Sequence, residues 1–238
     1  MDDLMTRGGL PRPTAERPLL GLTVLAVEDS KYACEAFRLL CLRSGARIRR
    51  ADSLRSARRH LQVYRPSVVI VDMGLPDGSG ADLLEELAAA SPRVAVLLAI
   101  SGDGMTEPLA RSAGADGFLE KPVLSLAAFQ SAILAHLPAD RRAMGPRNVP
   151  DDAVSPDPLA YRDDMAHAAD MLGDISDARS VDFAARFLSG VARSANDQAL
   201  CSAAEDLTEA RNMGRPVHAR IAQLAGLVQE RLSDQVAI

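Results

Sequence analysis

The sequence predicts an α/β unit, a five-stranded parallel sheet with helices on both faces, followed by an all-α four-helix bundle. Three observations carry this. Between Leu20 and Leu137, short apolar runs alternate with segments of helical periodicity. The strongest runs, "LTVLAV", "SVVIVD" and "VAVLLAIS", are apolar throughout rather than alternating, as in strands buried on both faces. After residue 157 strand-like runs stop and four amphipathic segments follow.

"LTVLAV" (22–27) is the first strand, and "KYACEAFRLLCLRSG" (31–45) is a helix with a glycine stop. "ARIRRA" (46–51) is a polar strand that suits a sheet edge. "SLRSARRHLQVY" (53–64) is a helix capped by Ser53. "SVVIVD" (67–72) is a buried strand, "SGADLLEELAAA" (79–90) a helix, and "VAVLLAIS" (94–101) a third apolar strand. "MTEPLARSAG" (105–114) is a short helix, "GFLEKP" (117–122) a strand stopped by proline, and "SLAAFQSAILAHL" (125–137) the last helix of this half. Residues 1–19 read as a mobile leader, 20–138 as the α/β domain, 139–157 as a Pro-rich linker and 158–238 as the helical domain. The helices are expected at 158–172, 177–195, 197–214 and 215–232.

The chain has 238 residues, 47% of them apolar, and a net charge of −5. No apolar run approaches the roughly 20 residues that span a bilayer, and the N-terminus lacks the apolar core of a secretory signal. The expected location is the cytoplasm, with no membrane partner. Cys34, Cys41 and Cys201 have no metal-ligand spacing and read as reduced core residues. Among 27 Lys and Arg, only Lys31 and Lys121 are lysines, so each draws notice as a compact ammonium among guanidinium groups.

In an open parallel sheet, binding residues gather at the carboxyl ends of the strands. Those ends are "EDS" (28–30), Asp72, Ser101 and "EK" (120–121). Glu28, Asp29 and Asp72 would sit side by side and repel one another. A hard divalent cation relieves that repulsion, and Mg²⁺ suits carboxylates, water and a phosphate oxygen. An aspartate beside such an ion can accept a phosphoryl group covalently, with Lys121 and the Ser101 hydroxyl as donors to its oxygens.

"VEDS", "VVIVDMGLPDGSG", "AISGD" and "GADGFLEKP", in this order, resemble the receiver domain of two-component response regulators, a flavodoxin-like fold, over about residues 20–138. The resemblance implies that Asp72 is the phosphoacceptor. It implies that Asp29 and Asp72 bind Mg²⁺ directly with the Gly74 carbonyl, while Glu28 acts through water. Ser101 and Lys121 would hold the phosphoryl group, Phe118 would be the switch aromatic, and Pro122 matches a position whose preceding peptide is often cis. Glu28 stands where Asp is common, and Gly74 stands where many members carry a polar side chain. The chain is then a phosphoacceptor, not an enzyme beyond slow autodephosphorylation. Its partners would be a histidine kinase or a phosphotransfer protein upstream and a protein partner, or a second copy, downstream.

In the helical half, Val181, Ala184, Leu188, Val191 and Ala195 form one stripe. Asp182, Arg186, Ser189 and Arg193 form the opposite one, expected to be wet. "ARFLSGVARSANDQALCSAAEDLTEARNMGR" resembles the histidine-containing phosphotransfer domain over about 176–232, with Arg186 at the carrier-histidine position, Ser189 at the lysine position and Gly190 at the small residue. A guanidinium stays protonated and cannot carry phosphate as imidazole does. Arg186 is also expected to pair with Asp182 one turn away. His167, beside Asp163, Asp164 and Asp170, is the rival carrier of a phosphorelay reading, though Met171 would crowd it; His218 lacks the flanking pattern. From residue 139 on there are eleven Arg and no Lys against sixteen Asp and Glu, so nucleic acid is an unlikely partner on charge. A transcription regulator remains the third reading.

Overall fold

The structure is a computed structural model that describes residues 13–142, 152–175 and 177–234. The leader lies outside the described residues up to residue 12, and the linker does so over 143–151. Five parallel strands form the sheet: β1 (Thr23–Val27), β2 (Arg47–Ala51), β3 (Val68–Asp72), β6 (Val96–Ser101) and β7 (Gly117–Glu120). A two-residue-per-strand hairpin, β4 (Gly74–Leu75) with β5 (Gly78–Ser79), follows β3. The spatial order β2-β1-β3-β6-β7 puts polar β2 at an edge and the wholly apolar β3 and β6 inside. Chain direction across the sheet reverses between β1 and β3, where such sheets open a crevice at their carboxyl ends.

Helices α1 (Lys31–Ser44) and α5 (Leu126–His136) cover one face, and Phe37, Leu40, Phe129 and Ile133 pack there on Val24, Ile70 and Leu98. On the other face, α2 (Leu54–Val63), α3 (Gly80–Ala89) and α4 (Glu107–Ser112) press Leu54, Leu84 and Ala110 onto Val69, Val71 and Leu97. Serines start the helices: the Ser53, Ser79 and Ser125 hydroxyls accept from the N–H groups of Ser56, Ala81 and Ala128. Gly45 ends α1 at φ 83°, a left-handed conformation that favours glycine.

Two segments read as connecting chain are packed instead. Leu19, assigned to the mobile leader, is fully buried, and its N–H donates to Ser44 O at 3.0 Å. Val154, assigned to the linker, is buried in the core beside α5, its N–H 2.9 Å from Leu124 O. Leu19 adjoins Leu20 and Leu22, so the domain begins at least one residue before the boundary read at Leu20. Val154 is a single large apolar residue in a polar, Pro-rich run, too short a pattern to register as periodic.

After the α/β unit, α6 (Pro158–Gly173), α7 (Ala178–Ser194), α8 (Gln198–Asn212) and α9 (His218–Asp234) close a bundle around Met165, Ala184, Leu188, Leu200, Leu207, Leu224 and Val228. Asp197, at the start of α8, ties the ring together, accepting from the Tyr161 hydroxyl of α6 at 2.8 Å and from Arg231 Nε of α9 at 2.7 Å. Cys34 and Cys41 are buried on α1 as read from sequence, but Cys201 is only half-buried, its thiol 3.4 Å from Glu205 on the outer side of α8.

The bundle docks on α1 through α6 and α7. Asp164 of α6 accepts from the Ser30 hydroxyl at 2.7 Å, the Lys31 N–H at 2.8 Å and the Tyr32 N–H at 3.0 Å. It caps the first turn of a helix in the other unit, where N–H groups lack partners of their own. Burial raises its pKa from the ordinary aspartate value, and these three donors pull the other way.

Candidate functional site

Four strand ends converge on one pocket. β1 delivers Glu28 and Asp29, β3 ends on Asp72, β6 ends on Ser101, and Lys121 follows β7. Register fixes their neighbourhood: Asp72 pairs with Ile100 in the sheet, and the Lys121 N–H donates to Ser101 O at 2.8 Å. Gly80 lets α3 start hard against the end of β3, since a Cβ there would run into the Asp72 carbonyl oxygen.

Carboxylate oxygens of Glu28, Asp29 and Asp72 lie within 4.8 Å of one another. Lys121 Nζ sits between two of them, 2.7 Å from Asp72 Oδ2 and 2.7 Å from Glu28 Oε2. Asp72 Oδ1 accepts from the Gly74 N–H at 3.1 Å, and Glu28 Oε1 accepts from the Ser30 N–H at 3.2 Å. Asp29 Oδ2 and Glu28 Oε2 are buried without a hydrogen bond; the second meets Lys121 by charge, off the bonding direction. The Asp103 N–H donates to the Ser101 hydroxyl oxygen at 3.1 Å.

The electrostatics follow from burial. Desolvation pushes the Asp29 carboxyl up to about 7, with Lys121 opposing and Asp72 adding to the rise. Desolvation also raises Glu28 against the pull of Lys121. Burial works against the Lys121 ammonium, but Asp72, Glu28 and Asp29 outweigh it and hold the lysine above its usual range. One cation therefore serves three carboxylates, and oxygen donors remain unsatisfied. An all-oxygen set of this kind with orphaned buried atoms fits a hard divalent cation.

The pocket opens into a cavity of about 580 Å³, within the size range of small-ligand sites. Glu28, Asp29, Asp72, Gly74, Ser101 and Lys121 all line it, so the structure brings together six residues singled out from sequence. Phe118, on β7, is not among the lining residues; it pairs with Ala99 and is half-buried against the α2–α4 side of the core. The Lys121–Pro122 peptide is cis.

The far wall is the surprise. The α7 stripe expected to be wet, with Arg186, Ser189 and Arg193, faces the pocket and lines the same cavity. The pairing of Arg186 with the Asp182 carboxylate does not form. Arg211 holds that carboxylate at 2.8 Å, and Arg186 Nε donates to the Asp182 carbonyl at 3.3 Å. Arg193 donates to the Gly102 carbonyl, next to Ser101, and to Glu205 at 2.8 Å. His167 is exposed outside the cavity, its ring edge-on to Phe187 at 5.5 Å. His218 is exposed at the start of α9.

Sequence reasoning missed the roles of Asp164 and Arg193. Asp164 did carry a signal, because it shares an apolar stripe of α6 with Ala168 and Leu172, and a charge there needs a partner.

Residues 24–133 match the family model of the response regulator receiver domain. This stretch is a receiver domain. The probable transcriptional regulatory protein TcrX of Mycobacterium tuberculosis is 34% identical to the chain over 102 residues, which are 42% of this chain and 44% of that protein. The KDP operon transcriptional regulatory protein KdpE of Escherichia coli is 30% identical over 99 residues, 42% of this chain and 44% of that protein. A putative response regulator from Chloroflexus aurantiacus is similar at 27% identity and a TM-score of 0.44, covering 48% of this chain and 98% of that one. The chain thus spans less than half the length of these curated relatives. Both are transcriptional regulatory proteins by name, so the exclusion of nucleic acid made on charge draws no support from them. Among the described residues, no helix is long and apolar enough to cross a membrane.

Proposed function

We propose that the chain is a two-component response regulator that accepts a phosphoryl group on Asp72 from a histidine kinase or a phosphotransfer protein. The observation that carries this is Lys121 Nζ at 2.7 Å from Asp72 Oδ2 within a cluster of three carboxylates at the open edge of the sheet. An Asp72 oxygen attacks phosphorus, the new P–O bond forms as the donor's P–N bond breaks, and the imidazole leaves with the bonding pair. Lys121 swings from the carboxylate to a phosphoryl oxygen, and the Ser101 hydroxyl turns to another. Asp29 and Asp72, with the Gly74 carbonyl, would hold Mg²⁺ and Glu28 would reach it through water; the ion supplies charge neutralisation for the transferred oxygens. Phe118 then repacks as Ser101 is drawn in.

The domain boundaries at 20–138 and 158–238 belong to the same reading, with the helical unit a phosphotransfer-like bundle whose carrier position, Arg186, transfers nothing. It serves instead as the output, binding a protein partner or a second copy. The cytoplasm is the compartment that suits this chemistry. A DNA-binding output is the second reading, favoured by the names of the relatives; a salt-dependent shift of duplex DNA at physiological ionic strength tests it.

Incubation with acetyl phosphate and Mg²⁺ should modify the protein once, and Asp72→Asn should abolish the modification. Equal labelling of the two proteins would sink the proposal.

A further inference from the structure

The helical unit does not stand clear of the acceptor pocket; it forms the opposite wall. Two anchors fix α6 and α7 there without using the acceptor residues. Asp164 caps the first turn of α1, and Arg193 holds the Gly102 carbonyl on the loop after β6. Between these anchors Arg186 faces the cavity with Ser189 and Gly190. Its one hydrogen bond among the described residues is from Nε to a carbonyl of its own helix, so the outer guanidinium nitrogens have no assigned partner there. Arg193, the other cation on this wall, is already occupied by Glu205 and Gly102. Glu209 lines the same wall and, like Arg186, is exposed.

We propose that the cavity between the two units is a composite phosphoryl-binding site in which α7 supplies Arg186 as a ligand to the group carried by Asp72. This rests on Asp72 being the acceptor. A guanidinium offers paired N–H donors matched to phosphoryl oxygens, stays protonated and so lacks the free lone pair with which imidazole attacks phosphorus. Arg186 therefore holds the phosphoryl group without taking it. Among the described residues this cation has only a charge interaction with Asp182 and no carboxylate hydrogen bond. Phosphorylation adds negative charge opposite it and tightens the docking of the helical unit instead of releasing it. The Ser30–Tyr32 contact to Asp164 closes more firmly as a result.

Beryllofluoride with Mg²⁺ serves as the phosphoryl stand-in, and amide hydrogen exchange of the full chain reads both units. In the native protein, exchange should slow several-fold at residues 30–33 and 186–193 as well as at 72–80. Arg186→Ala should keep the slowing at 72–80, lose it at 30–33, and bind beryllofluoride about 10-fold more weakly, the scale of one charge-assisted hydrogen bond. Arg186→Lys should recover part of both. Equal beryllofluoride affinity in Arg186→Ala, or faster exchange at 30–33 in the native protein, overturns the proposal. No response at 72–80 in the native protein overturns the acceptor assignment itself, and this proposal with it.

Discussion

The two halves of the molecule handle charge in opposite ways. In the helical unit charges meet their counterparts: Asp182 with Arg211, Asp197 with Arg231, Glu205 with Arg193. At the sheet edge three carboxylates share one lysine, and two buried oxygens go without a hydrogen bond. Satisfied charges shape a surface and a bundle, whereas unsatisfied ones are retained at a cost in stability and mark where a ligand is meant to arrive. Arg186 is the informative exception. It belongs to the satisfied half by sequence and to the unsatisfied pocket by position.

The sharpest way to break the receiver side is at Gly80. A β-carbon there meets the Asp72 carbonyl, which is backbone and cannot yield as a flexible side chain would. Gly80→Ala should destabilise the protein by about 3 kcal/mol, at the upper end of overpacking losses. Chemical denaturation would measure it, and a loss under about 1 kcal/mol would mean that α3 slides to accommodate the methyl.

Next in size is the seam. Asp164→Ala removes three hydrogen bonds at the start of α1 and leaves the Lys31 and Tyr32 N–H groups without their acceptor. A loss of about 2 kcal/mol is expected from an N-cap of this kind. Hydrogen exchange at Lys31 and Tyr32 should accelerate, and the radius of gyration by small-angle scattering should grow as the helical unit comes free. Unchanged scattering would assign the hold to Arg193 and the apolar contacts of α6 and α7.

This seam also marks what the sequence could not reveal. The parallel sheet, its polar edge strand and the acidic rim were legible because local signals agree: unbroken apolar runs for β3 and β6, serine caps before α2, α3 and α5, and carboxylates placed where apolar strands end. Four amphipathic segments with short connections likewise give the bundle. Docking has no such local signature. A polar stripe on α7 looks the same whether it faces water or an open polar cavity; Arg186 is exposed as read, yet lines the cavity, and Arg193 is half-buried against the other unit. Val154 escaped for a related reason, since one large apolar residue in a polar run sets no period, while the boundary at Leu20 falls one residue too late for Leu19.

The satisfied charges of the bundle can be tested by pH. Hydrogen bonding from Arg231, with Tyr161 adding, holds the Asp197 carboxyl at about 2 against the opposing effect of burial. A carboxyl depressed in the folded state stabilises above its unfolded value, near 4, and that stabilisation is lost as pH falls through 2. Arg231→Ala should therefore lower stability by about 1–2 kcal/mol at pH 7, allowing for the part-exposed arginine. The gap between the two proteins should narrow only below pH 4 and close near pH 2. A gap that stayed constant down to pH 2 would mean that Arg231 acts through packing of its alkyl chain and not through Asp197.

The smallest effect comes from a glycine that contrasts with Gly80. Gly226 lies inside α9, and a β-carbon there meets nothing within 4 Å. The position spends backbone freedom in a helix without returning a close contact, as Gly80 does for the acceptor strand. Gly226→Ala should raise stability by about 0.5–1 kcal/mol, the difference in helix propensity. Thermal melting of the full chain reads this as a rise of a few degrees. A loss instead would place another surface over that face of α9, which would itself locate the contact used by a second copy or a partner.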